Sequence, residues 1–178
     1  MFNVKPNGMI DFTKLDYLKI GNERQKRAYE VLTEYRIFEV LEHYSPILAG
    51  TIPIEIDIEG SDLDIICEVE DKIEFEKFLV QNFSEFDLKI EKITIKEQNS
   101  IICNFQLEEF PIEIFAQNMP TIEQNAYRHM IVEYKILQEN GEEFKQKIID
   151  LKKKGTKTEP AFGVLLGLKN PYEDLLKI

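Results

Sequence analysis

The sequence predicts an α+β architecture, a mixed β-sheet with flanking helices and a helical C-terminal part. Two observations carry that expectation. Short runs between positions 53 and 116 alternate apolar and polar residues, as half-buried strands do. From about position 121 the apolar spacing changes to that of helices. Strands gathered early and helices gathered late are the order of α+β proteins. The 178 residues are expected to form one domain, with a core at about 23–120 and a helical part at about 121–178.

Taken in order, residues 23–44 place Ala28, Val31, Leu32, Tyr35, Phe38 and Leu41 at helical spacing, ending before Ser45-Pro46. The segment PIEIDI (53–58) alternates and reads as a strand or hairpin arm. SDLDIICEVE (61–70) puts Leu63, Ile65, Cys67 and Val69 on one face, with Asp62, Asp64, Ile66 and Glu68 on the other. Asp71 fits the N-cap of a short helix striped by Phe75, Phe78 and Leu79. IEKITIKE, SIICNFQL and FPIEIFA read as three further strands. Gln98-Asn99-Ser100 is the expected turn between the first two, and Glu108-Glu109 a tight link between the last two. Thr121 to Gln124 has capping-box spacing for a helix that ends near Gly141; another helix spans about 142–154. The tail predicts two short helices, one begun by Thr158 with Pro160 in its first turn.

Composition narrows the function classes. A net charge of −11 weighs against nonspecific binding to a nucleic-acid backbone, which needs clustered cations. LKKKG (151–155) reads as a solvated helix end with a glycine cap. The N-terminus lacks a long apolar stretch, and nothing approaches the length of a membrane span, so a cytoplasmic protein without membrane partners is expected. Cys67 and Cys103 lie in apolar strand runs and are expected as buried free thiols, unfit as nucleophiles. Phosphate-loop, dinucleotide-glycine, HExxH and CxxC patterns do not occur. Oligomeric state is left open by the sequence.

Chemistry concentrates on one strand face. If the strands neighbour one another, Asp62, Asp64 and Glu113 share the side opposite the core. Two ionised carboxylates about 5 Å apart repel by roughly 3 kcal/mol at an effective dielectric near 20, so such a cluster protonates a member or holds a cation. Hard oxygen ligands without nearby His or Cys suit Mg²⁺ or Mn²⁺ better than zinc. A solvated acidic strand explains the same alternation without any site. Glu113 weighs the other way, because it sits between Ile112 and Ile114 beside Phe115.

Gly50-Thr51, then Ser61-Asp62-Leu63-Asp64-Ile65, then Glu113 resemble the motif of enzymes with the DNA polymerase beta-like nucleotidyltransferase fold. The resemblance implies a nucleotidyltransferase-like core. It implies that Asp62, Asp64 and Glu113 are catalytic and bind metal, while Gly50, Thr51 and Ser61 contact nucleotide. The motif lies within about 40–117. Over most of the chain, LAGTIPI, SDLDII, PIEIFAQ, QNAYRHMIVE and KTEPAF resemble a family of short bacterial proteins of unknown function near that superfamily. Two departures stand out: Thr51 replaces the usual Ser or Gly, and an acidic IPIEIDIEG follows where a small or basic run is usual.

Three further residues are candidates for nucleotide binding: Arg128, His129 and Lys157. His129 and Glu133 share a helix face, which also fits a buried polar pair tying that helix to the sheet. Lys157 precedes a helix start that favours anions. Lys92 and Lys96 are expected on the polar face of their strand, as counter-charges to the acidic cluster. His43, at a helix end, reads as a C-terminal charge partner. The functional expectation is Mg²⁺- or Mn²⁺-dependent transfer of NMP from a nucleoside triphosphate to an unknown acceptor. The alternatives are a non-catalytic nucleotide- or metal-binding regulatory module on the same fold, and an interaction protein with a solvated acidic face.

Overall fold

Which strand residues leave water decides the sheet. A computed structural model describes residues 10–95 and 98–178. Among them, β1 (Ile47–Ala49), β2 (Leu63–Glu68), β3 (Lys89–Ile95), β4 (Gln98–Leu107) and β5 (Phe110–Gln117) form one sheet ordered β1-β2-β5-β4-β3. β2 and β5 run parallel, and each other neighbouring pair is antiparallel. The helices are α1 (Glu23–Glu34), α2 (Ile37–Val40), α3 (Lys72–Phe83), α4 (Asn125–Lys153), α5 (Thr158–Leu166) and α6 (Pro171–Asp174). This is the expected α+β arrangement.

Strand parity divides the core. Leu63, Ile65, Cys67, Ile101, Cys103, Ile112 and Ile114 face Ala28, Val31 and Leu32 of α1 and Phe75, Leu79 and Phe83 of α3. Each such fully buried side chain contributes about 1.5–3 kcal/mol by leaving water. On the opposite face Ile47, Ala49 and Ile66 pack with Met130, Ile136, Leu137 and Ile148 of α4 and with Ala161 and Phe162 of α5. This second face is apolar toward β1 and carries Asp64 and Glu113 beside that patch.

Local chemistry accounts for the element ends. Asn22 and Gln25 form a reciprocal capping box at the start of α1. The expected Asp71 cap is present, its carboxylate accepting from the Ile73 and Glu74 amides. Glu108, with φ of 51°, turns the two-residue link between the paired Leu107 and Phe110. α4 breaks at Gly141, where φ 74° and ψ −171° leave the helical region.

Several expectations are corrected. The helix over 23–44 is three pieces, because Arg36 adopts a left-handed conformation that ends α1 and starts α2. The strand beside β2 is Ile47–Ala49, whereas PIEIDI is turn and coil. Ile54 and Ile56 are buried as the alternation requires, but Pro53 is buried too, and Glu55 at φ 61° prevents an extended run. Gln98, Asn99 and Ser100 pair with Ile95, Thr94 and Ile93 as strand, so the expected turn there is absent. Lys96 lies outside the described residues, and Lys92 pairs with Glu76 at 2.6 Å instead of with the acidic cluster. No capping box forms at Thr121; the Gln124 amide donates to the Cys67 and Met119 carbonyls instead. LKKKG is not wholly solvated either: Lys152 is buried, four residues after Ile148 on the same apolar stripe.

Candidate functional site

Register places the two central acids side by side. Asp64 and Glu113 are direct partners across the parallel β2–β5 pair, so both project from the second sheet face. Asp64 also sits opposite Ala49, which brings Gly50 against its carboxylate. A Cβ at Gly50 would lie 2.0 Å from Asp64 Oδ2, and its φ of 81° is one that side chains rarely adopt. Glycine at 50 is therefore what lets Asp64 turn toward the end of β1.

These residues line a cleft of about 480 Å³ between the sheet and helices α4 and α5. Its walls include Gly50, Thr51, Asp64, Glu113, His129, Glu133 and Glu159, with no lysine or arginine among them. Burial raises the Asp64 carboxyl well above the usual range, and the charges of Asp62 and Glu113 push it further. Burial likewise raises Glu113, with Asp62 adding to the effect.

Other candidates stand elsewhere. Asp62 is outside the cleft walls, though near enough to act on both acids electrostatically. Ser61 serves the loop before β2: its Oγ accepts from the Ile58 amide and its carbonyl from Arg24. Arg128 is exposed on α4 and, among the described residues, reaches only Asn125, at 3.5 Å. Lys157 is exposed before α5. His43 is exposed in a 3-10 turn.

His129 and Glu133 are both buried but do not form the expected pair. His129 Nε2 donates to the Tyr172 carbonyl at 2.9 Å, and Nδ1 lies 3.5 Å from Glu159 Oε1, so it ties α4 to the C-terminal helices rather than to the sheet. Glu133 is 4% exposed, and burial, with Glu159 nearby, pushes its carboxyl up to about 8.

Sequence reasoning missed Lys152. Its Nζ donates to the Ile56 carbonyl at 2.7 Å. Burial lowers its pKa, while Glu133, Asp57, Asp64 and Glu159 oppose that lowering. Its place on the buried stripe four residues after Ile148 was the available signal. The acidic segment after Thr51 is neutralised locally. Glu55 pairs with Lys145 at 2.6 Å, and Asp57 approaches Arg24 Nε to 3.0 Å, off the hydrogen-bond axis. Burial nevertheless raises the Asp57 carboxyl.

Cys67 and Cys103 are free and buried, with thiols raised by burial, Cys103 to about 11. No helix among the described residues is long and apolar enough to cross a membrane.

Residues 30–178 match the family described as a domain of unknown function, DUF4269. The chain belongs to that family. No curated protein matches this DUF4269 chain. Among solved structures it resembles the Cid1 poly(U) polymerase bound to MgATP, with TM-score 0.54 and 13% identity over 80% of this chain and 48% of that one. It also resembles the polymerase core of TRAMP, an RNA surveillance complex, with TM-score 0.51 and 10% identity over 90% of this chain and 51% of the other. The DUF4269 chain thus spans about half the length of these polymerase chains. The likeness shows a nucleotidyltransferase-like fold.

Proposed function

We propose that the cleft binds a nucleoside triphosphate and transfers its NMP to an acceptor. The carrying observation is the side-by-side placement of Asp64 and Glu113 on the cleft face of a nucleotidyltransferase-like sheet, with Gly50 against Asp64. In the transfer an acceptor oxygen bonds the α-phosphorus, the α–β phosphoanhydride bond breaks, and pyrophosphate leaves. Glu113, a carboxyl raised by burial, takes the acceptor proton. Gly50 and Thr51 border the phosphates; His129 lies on the opposite wall. Ser61, Arg128 and Lys157 have no part in this reading, given where they stand.

The donor chemistry fits a hard divalent cation: Asp62, Asp64 and Glu113 are oxygen ligands whose mutual repulsion a cation relieves. Among the described residues no three acidic, His or Cys groups already converge on one point, so the fit rests on donor type and charge. Asp64 and Glu113 would hold Mg²⁺ or Mn²⁺, with Asp62 beside them, and the ion would neutralise phosphate charge in a cleft without cationic walls.

Thermal unfolding with and without Mg²⁺ or Mn²⁺ across the four nucleoside triphosphates tests this, in wild type and Asp64→Asn. A metal-dependent nucleotide shift lost in the variant supports the reading. A shift retained in the variant refutes the role of Asp64. Metal and nucleotide binding without turnover would leave a regulatory module, the second reading favoured by the absence of lysine and arginine from the walls.

A further inference from the structure

The wall facing the sheet has chemistry that a nucleotide does not use. Glu133 on α4 lines the cleft while 4% exposed, and among the described residues no hydrogen bond reaches its carboxylate. Burying a carboxylate without a donor is costly, so such a group ordinarily has a partner. Lys152 acts on it electrostatically, but the hydrogen bond its Nζ makes goes to the Ile56 carbonyl and not to Glu133. Glu159 on α5 lines the same wall, its Oε1 3.5 Å from Nδ1 of His129. The open cleft thus offers two carboxyl groups, with no lysine or arginine side chain on its walls to satisfy them.

We propose that Glu133 and Glu159 form a subsite for the protonated amine of a small molecule, which makes the acceptor a cationic amino compound rather than a nucleic acid. An ammonium carries several N–H donors on one compact charge, matching an orphan carboxylate with a second acid beside it. A phosphate-rich polymer would find no lysine or arginine on the cleft walls to receive it. The volume, about 480 Å³, falls in the range of small-molecule sites. The word acceptor rests on the transferase reading; amine binding does not, and it is measured without nucleotide.

Isothermal titration of spermidine into the whole chain at pH 7 is the test, with Glu133→Gln, Glu159→Gln and Glu143→Gln. Glu143 is exposed and, among the described residues, paired only with Lys147, so its variant makes the same change in net charge away from the cleft. The expected result is saturable binding weakened about tenfold or more in the first two variants and unchanged in the third. Ionising Glu133 against its raised pKa also makes binding release protons at pH 7, read from heats in buffers of different ionisation enthalpy. Its charged surroundings are Glu159 and Lys152, with His129 on its own helix 3.5 Å from Glu159. Proton release should vanish in Glu133→Gln. Should that variant fail to fold, the half-buried Glu159→Gln decides. No saturable binding, or equal weakening by all three variants, overturns the subsite. Spermidine binding without any Mg²⁺–nucleotide shift supports the subsite and sinks only the transferase reading.

Discussion

Asp64 and Glu113 are direct cross-strand partners in the one parallel pair of the sheet, and both carboxyls are raised. Neighbouring strands run about 4.8 Å apart, so the two acids sit within strong Coulomb range of one another. Mg²⁺ at about 100 times its dissociation constant should stabilise the protein by roughly 2.7 kcal/mol, several degrees of Tm. The shift should disappear in Glu113→Gln and in Asp64→Asn alike. Differential scanning fluorimetry in both variants checks this.

Gly50→Ala would place a methyl 2.0 Å from Asp64 Oδ2 at a φ of 81°. Strained backbone and the displaced carboxylate together should cost about 1–3 kcal/mol. Urea unfolding measures the loss. A neutral result would mean that Gly50 and Asp64 do not touch.

Lys152→Met removes the donor to the Ile56 carbonyl and the cation among four carboxylates. Breaking a buried charged contact of this kind should cost about 3–5 kcal/mol. Lys153→Met, one exposed position on, should change stability by less than about 0.5 kcal/mol. Paired denaturation curves of the two variants give the contrast.

Glu133 sets a pH dependence. Its folded pKa, about 8, exceeds the usual carboxylate value, so the folded state binds the extra proton between the two. Its stabilising contribution is complete below about pH 4 and declines as pH rises toward 8. Wild type minus Glu133→Gln should show that decline, up to about 5 kcal/mol, as an upper bound. A flat difference across pH 4–9 would contradict it.

The thiols should be inert in the folded protein. Burial raises both, and a protonated thiol is a poor nucleophile. Reaction with a thiol-specific disulfide reagent at pH 8 should follow global unfolding, with both cysteines reacting only in denaturant.

Much of the fold was legible because strand alternation and helix spacing report burial directly. Leu63, Ile65 and Cys67 fall on the core face as their spacing requires. The same signal misled at PIEIDI, where Ile54 and Ile56 are buried by a turning chain and not by strand pairing. Alternation records which residues hide, not what hides them. Gln98 to Ser100 misled oppositely, since polar residues tolerated on a strand looked like a turn. In the site, Asp64 and Glu113 were visible because acids within apolar strands stand out. Lys152 was not, because a lysine within a run of three reads as solvent-exposed until its neighbour on the buried stripe is noticed.

The break at Gly141 has a consequence for how the cleft comes into being. A straight helix would carry Lys152 about 28 Å from Glu133, yet the two interact. The chain therefore doubles back, and the cleft gathers groups from positions 50, 64, 113, 133 and 159, with Lys152 behind them. Contacts so distant along the chain close late in folding. On the ribosome, the sheet can assemble once β5 emerges, but the cleft acquires its far wall only after α5 has followed.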